Sequence, residues 1–279
     1  MYRKSLIGGR KMQKTKVHVQ GTEQFFMTSK HNRRYRIMVY RPQQEAPASG
    51  FPILYVLDGN AFFTTVTDAI RLQSRRSDKT GVVPTVVVGI GYDSEEPFDK
   101  NRFYDYTVAP AEDQVSSKFT RKMDDEQGGA NEFLMFLQEE LKPKIERELA
   151  IDSEKQAIFG HSLGGLFVLH ALFTQTSLFQ TYIAGSPSIH WNQVKLSQEE
   201  EHFIQNNCDE KVSILIGAGE LEGEHHSKML MNARELAQRL QQLKHARVEA
   251  YEFPDENHIS VVLPLINKAI RFCSDDWKL

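Results

Sequence analysis

The sequence predicts an α/β protein: a central, mostly parallel sheet with an antiparallel N-terminal start and helices on both faces. Three observations carry this. From the middle onward, short β-branched runs alternate with longer amphipathic ones, the rhythm of βαβ units. Two runs, ILYVL at Ile53 to Leu57 and TVVVGIGY at Thr85 to Tyr92, are almost continuously apolar, as strands covered on both faces must be. A glycine-flanked serine turn sits between an apolar run and an amphipathic segment. Of 279 residues, 40% are apolar and 25% charged, enough to bury a sizeable core in one domain.

Taken in order, Met1 to about Lys14 is basic and reads as a flexible extension, leaving residues 15–279 as a single domain. KVHVQ (Lys16 to Gln20), EQFFM (Glu23 to Met27) and YRIMVY (Tyr35 to Tyr40) read as consecutive strands joined by hairpins. After the two apolar strands the pattern breaks: about 93–130 is polar, aromatic and irregular, too long for a mere connection and read as a functional loop region. A helical spacing of apolar residues runs from Asn131 to Leu149, with Pro143 set to kink or divide it. Beyond it come AIFG, a helix from Leu163, TYIAGS, a helix near Leu196 to Ile204, VSILIG, a helix to about Leu243, RVEAYEF and a last helix from Ile259.

Several function classes fall away. A net charge of -3 offers no basic field for nucleic acid or an anionic membrane. No apolar run approaches the roughly 20 residues that cross a bilayer. Two cysteines, Cys208 and Cys273, are too few for a disulfide framework, and with no signal-peptide pattern the expected location is cytoplasmic. His225 and His226 lack the spacing of a zinc motif, so no metal is expected. Oligomeric state leaves no trace in the pattern.

The serine turn is Gly160-His161-Ser162-Leu163-Gly164, a Gly-x-Ser-x-Gly between strand and helix. This is the context of the nucleophile elbow of an α/β-hydrolase. The serine occupies a strained turn, so Gly160 and Gly164 are expected to relieve crowding around it. Helix initiation at the serine aims the Leu163 N–H and the helix dipole at a developing oxyanion. His161 is expected to pack beside the elbow. In this fold a base follows the last strand, and His258 lies in FPDENHIS directly after RVEAYEF. The acid should follow VSILIG, where Glu220, Glu222 and Glu224 compete; Glu222 is favoured, and spacing alone does not separate it from Glu220. A second oxyanion donor is expected after ILYVL, from the backbone of Gly59 or Asn60.

These residues resemble the esterase family of α/β-hydrolases, and within it the hydrolases that open siderophore trilactones of the enterobactin or bacillibactin type. The likeness spans nearly the whole chain, in YVLDGNAFF, PFDKNRFYDYT, GGANEFLMFLQEELKP, GHSLGGLFVLHALF, AGSPSIHW and FPDENHIS. GHSLGG is widespread, whereas RFYDYT with GGANEF and SPS is much narrower. The resemblance implies a largely capless hydrolase with Ser162 and His258 in the catalytic positions, and it favours Glu222. It implies a small-molecule ester, a ferric catecholate siderophore among the candidates, with iron belonging to the substrate and no cofactor. An anionic, bulky substrate of that kind calls for cations and flat surfaces, for which Arg102, Arg121, Lys122, Tyr104, Tyr106 and Trp191 are the candidates. General carboxylester hydrolysis, acyl transfer and noncatalytic ligand binding are the competing expectations.

Overall fold

The computed structural model describes residues 17–109, 126–206, 211–224 and 227–277. The expected flexible extension at 1–14 and the candidates Arg121, Lys122, Cys208, His225 and His226 lie outside these residues.

Among the described residues eight strands form one sheet: β1 Thr22–Thr28, β2 Arg34–Tyr40, β3 Phe51–Val56, β4 Val86–Tyr92, β5 Ile151–His161, β6 Thr181–Gly185, β7 Val212–Gly219 and β8 Ala246–Phe253. Their order is β1-β2-β4-β3-β5-β6-β7-β8. Pairs β1/β2 and β2/β4 are antiparallel and the rest are parallel. The sequence also suggested a strand at Lys16 to Gln20. Its described part, 17–20, is instead irregular; Val17 is almost wholly exposed, so extension there would cover nothing.

The central strands are buried along their length, as their unbroken apolar runs require. Alternation along β3 sends Ile53 and Tyr55 to one core and Leu54 and Val56 to the other. The second core is closed by α1 (Gly59–Gln73) and α9 (Val262–Trp277); the single-turn α2 (Ser77–Thr80) follows α1. The first core is closed by α4 (Ala130–Phe136), α6 (Leu163–Thr174), α7 (Gln193–Asn206) and α8 (Met229–Leu240). Among the described helices none is long and apolar enough to cross a membrane.

Two local features shape the helices on the first core. Between α4 and α5 (Lys142–Glu148) the chain widens into a π-helical turn at Leu137–Leu141, which ends two residues before Pro143. Proline supplies no N–H and crowds the carbonyl four residues back, and widening that turn keeps the helix continuous where the sequence suggested a kink. Helix α6 is buried on nearly every side; its Phe167 ring meets Phe133 at 5.0 Å and Tyr106 at 5.9 Å between centroids. Truncating such a ring costs about 3–5 kcal/mol, so the helix that begins at Ser162 is anchored by packing.

Candidate active site

Ser162 stands where β5 turns into α6, with φ 61° and ψ -118°, a backbone that L-residues rarely adopt. The strain is held from both sides: Ser162 N–H donates to Gly185 O at 2.9 Å, and Ser162 O accepts from Leu166 N–H at 3.0 Å. A Cβ at Gly160 would lie 2.2 Å from Gly164 O, so glycine is mandatory there. The expectation for Gly164 needs correcting. A Cβ there would touch Asp58 Oδ2 at 3.4 Å, ordinary contact, while at Gly165 it would strike Gly185 O at 2.7 Å. The second tight approach therefore belongs to Gly165, where the helix passes β6.

The three chain-distant side chains converge. Nε2 of His258 lies 3.1 Å from Ser162 Oγ, and its Nδ1 lies 2.8 Å from Glu222 Oε2. The other carboxylate oxygen of Glu222 accepts from Ser186 Oγ at 2.6 Å and from Gly219 N–H at 2.8 Å. Burial opposes charge on Glu222, yet the bonds from His258, Ser186 and Gly219 outweigh it and hold the carboxyl below its ordinary pKa. Glu222 is thus fixed as an anion, able to orient the imidazole and stabilise imidazolium without taking the proton. Glu220 faces outward and accepts from the Asp255 N–H at 3.1 Å. His258 keeps 34% of its side-chain surface open, so substrate can reach it.

His161 lies beside His258, with the two rings 4.7 Å apart. Burial, reinforced by the neighbouring His258, pushes its pKa down to about 3, so it stays neutral. His170 is a packed histidine, bridged to Glu199 at 2.9 Å and to Asn131 at 3.1 Å.

For oxyanion binding, Leu163 opens α6 and Gly59 and Asn60 open α1, where first-turn N–H groups have no acceptor inside the helix. Gly59 allows α1 to start against β4, since a Cβ there would meet Gly89 C at 2.8 Å. The Asn60 side chain is engaged elsewhere, accepting from Tyr92 N–H at 2.9 Å and donating to Ser94 O at 2.7 Å, so its backbone is the part free to act.

A cleft of about 440 Å³ opens over Ser162 and His258, lined in part by Arg102, Phe103, Trp191, Leu221 and Met229. Trp191 lines it, its ring 5.8 Å from Phe103. Tyr106 does not. It is 1% exposed, and its Oη accepts the Asp58 N–H at 3.0 Å, so it supports the β3–α1 turn instead of contacting a ligand. Tyr104 is partly exposed but lies outside the cleft lining, donating to Glu132 at 3.0 Å beneath the Arg33 guanidinium. Arg102 lies on the single-turn α3 (Arg102–Asp105), and its Nε and Nη2 each donate to Asp58 at 2.8 Å. Burial works against that charge, and the Asp58 carboxylate more than compensates, raising the Arg102 pKa. Nη1 is the nitrogen this pair leaves over, on a residue that still borders the cleft.

Sequence reasoning missed Asp58, Ser186 and Ser188. The signal for the serines was the SPS triplet at the end of β6, beside the elbow strand. Asp58 stood next to the glycine singled out for the oxyanion turn and drew no separate reading.

Comparison with known proteins decides the family. The family described as "Putative esterase" matches residues 28–259. The chain belongs to that family. This esterase is 47% identical over 259 residues to the ferri-bacillibactin esterase BesA of Bacillus subtilis, covering 91% of this chain and 90% of the relative. It is 32% identical over 255 residues to the siderophore enterobactin esterase of Emericella nidulans, covering 80% and 82%. Among solved structures it superposes on the BES protein of Bacillus cereus with a TM-score of 0.87 at 42% identity, covering 94% and 99%. The esterase has the α/β-hydrolase fold and is a serine hydrolase acting on carboxylic ester bonds.

Proposed function

We propose that this esterase hydrolyses the ester bonds of a siderophore trilactone of the bacillibactin or enterobactin type, cutting the scaffold so that bound iron is released. The observation that carries this is an assembled Ser162–His258–Glu222 relay at the foot of an open, partly aromatic cleft, in a chain 47% identical to a ferri-bacillibactin esterase.

Ser162 attacks the carbonyl carbon while Nε2 of His258 takes its proton and Glu222 steadies the imidazolium. The N–H groups of Leu163 and of Gly59 or Asn60 receive the oxyanion. The intermediate collapses, Nε2 protonates the departing alkoxide of the scaffold, and a water activated by the same histidine releases the acyl group. The protein's own groups suffice for each step.

Substrate size supports the reading. A cleft of this volume accommodates one ester and one arm, with Trp191 and Phe103 as a flat wall and Arg102 Nη1 as a cationic edge, while the remaining arms and the metal stay in solvent. We place the reaction in the cytoplasm, in keeping with a chain that has only two cysteines.

The test is hydrolysis of ferric and iron-free bacillibactin and enterobactin by wild type and Ser162→Ala, followed by mass spectrometry beside a p-nitrophenyl ester. Trilactone opening much faster than cleavage of the simple ester, and abolished in the variant, is expected. Cleavage of the simple ester alone would replace the proposal with a general carboxylesterase.

A further inference from the structure

The relay leaves one hydroxyl at its centre unused. Ser188 is buried, borders the cleft, and places its Oγ 3.3 Å from Ser162 Oγ. Proton counting decides which oxygen donates. Glu222 already accepts from Ser186 and Gly219 and faces Nδ1 of His258, so Nδ1 carries the imidazole proton and Nε2 is bare. Nε2, at 3.1 Å, takes the single proton of Ser162. Ser162 has no other proton to give, so the Ser188 hydroxyl donates to it.

The surrounding backbone keeps that hydroxyl in place. Ser188 N–H donates to Ser162 O at 3.1 Å, and Ser186 N–H donates to Gly217 O at 2.6 Å. Pro187, between them, packs on the elbow helix, where a Cβ at Gly165 would reach its Cα at 3.1 Å. Ser186-Pro187-Ser188 therefore forms a bracket with one hydroxyl on the acid and the other on the nucleophile.

We propose that Ser188 is a catalytic residue: its hydroxyl donates to the nucleophilic oxygen, turns the Ser162 proton toward His258, and stabilises the charge that grows on Ser162 Oγ. A hydrogen bond to an oxygen gaining negative charge strengthens as the charge develops, so it lowers the barrier more than it stabilises the ground state. In attack, the Oγ–carbon bond forms, the Ser162 proton passes to Nε2, and the carbonyl electron pair moves onto its oxygen. On collapse that pair returns, the bond to the alcohol breaks, and Nε2 gives its proton to the alcohol. Ser188 keeps its own proton throughout and acts again in deacylation, when Ser162 Oγ departs with the electron pair.

The inference rests on the serine-hydrolase reading and is independent of which ester is natural. The experiment measures the rate at which a fluorophosphonate modifies Ser162, with kcat and KM for p-nitrophenyl acetate. Its proteins are wild type, Ser162→Ala, Ser188→Ala, Ser188→Cys and Ser188→Thr, each checked for cooperative thermal unfolding. Ser188→Ala is expected to slow both modification and kcat roughly 10- to 100-fold with KM nearly unchanged. Ser188→Cys, close in size but a weak donor, shows the same loss should the alanine variant not fold, and Ser188→Thr recovers most of the rate. Modification of Ser188→Ala and Ser188→Cys at the wild-type rate, or an effect confined to KM, would overturn the role of Ser188 alone. Equal labelling of Ser162→Ala would overturn the serine reading beneath it.

Discussion

The two walls of the cleft use polar residues in opposite ways. On one, Ser162, Glu222 and His258 hang from the ends of β5, β7 and β8 and hold a relay open to solvent at His258. On the other, the polar and aromatic residues around Arg102–Tyr106 turn inward. Arg102 grips Asp58, Tyr106 accepts the Asp58 N–H, and buried Asp105 receives Tyr35 and Tyr92 hydroxyls beside Arg33. A charged or aromatic residue in a loop over an active site can be structure for the turn beneath it. Here that turn is Asp58–Asn60, which carries the proposed oxyanion donors.

The largest expected losses of activity lie in the relay. Ser162→Ala should lower kcat on any ester about 10⁶-fold and leave the unfolding midpoint close to wild type, as read by steady-state kinetics and circular dichroism. Glu222→Gln should follow, losing roughly 10³- to 10⁴-fold in kcat because the amide no longer enforces the imidazole tautomer. A loss under tenfold would show that the Ser162–His258 pair works without its acid.

On the opposite wall the large effect should be on stability. Arg102→Ala strands the Asp58 carboxylate, 1% exposed, and is expected to cost about 3–5 kcal/mol in urea unfolding. Unchanged stability with a raised KM would show that Arg102 serves the ligand through Nη1 and that the Asp58 turn does not depend on it. The smallest effect is in pH dependence. Burial raises the Asp105 pKa to about 6, against the lowering influence of Arg33 and the two tyrosines. A folded pKa above the unfolded value of 3.8 means that the native state binds more protons between those values. This contribution is complete below the unfolded value and is lost as pH rises through about 6. Between pH 7 and 5 it should add about 1 kcal/mol to wild type that Asp105→Asn lacks, measured by urea titration. Glu222 runs the other way: its lowered pKa stabilises above its ordinary value, and the contribution is lost as pH falls.

Legibility follows the same division. Strand ends, the serine turn and the order Ser162, Glu222, His258 are local or sequential facts, and Ser162 and His258 could be picked out from them. Choosing Glu222 over Glu220 depended on how a 3₁₀ turn after β7 rotates, which spacing does not encode. Tyr106 and Trp191 look alike in a sequence, each aromatic in a polar stretch, yet Tyr106 sits under Asp58 and Trp191 lines the cleft. Gly164 and Gly165 likewise differ in which neighbour comes close, β6 in the second case, a tertiary fact.

In the proposed reaction Ser162 carries the acyl group during ester cleavage. Acid-quenching the reaction with a trilactone or p-nitrophenyl acetate within the first turnover, then digesting and mapping the protein by mass spectrometry, tests it directly. An acyl adduct on the peptide containing Ser162, accumulating further in His258→Ala if acylation persists there and absent in Ser162→Ala, is the predicted result. Hydrolysis that continues in Ser162→Ala, or an adduct on another residue, would contradict it.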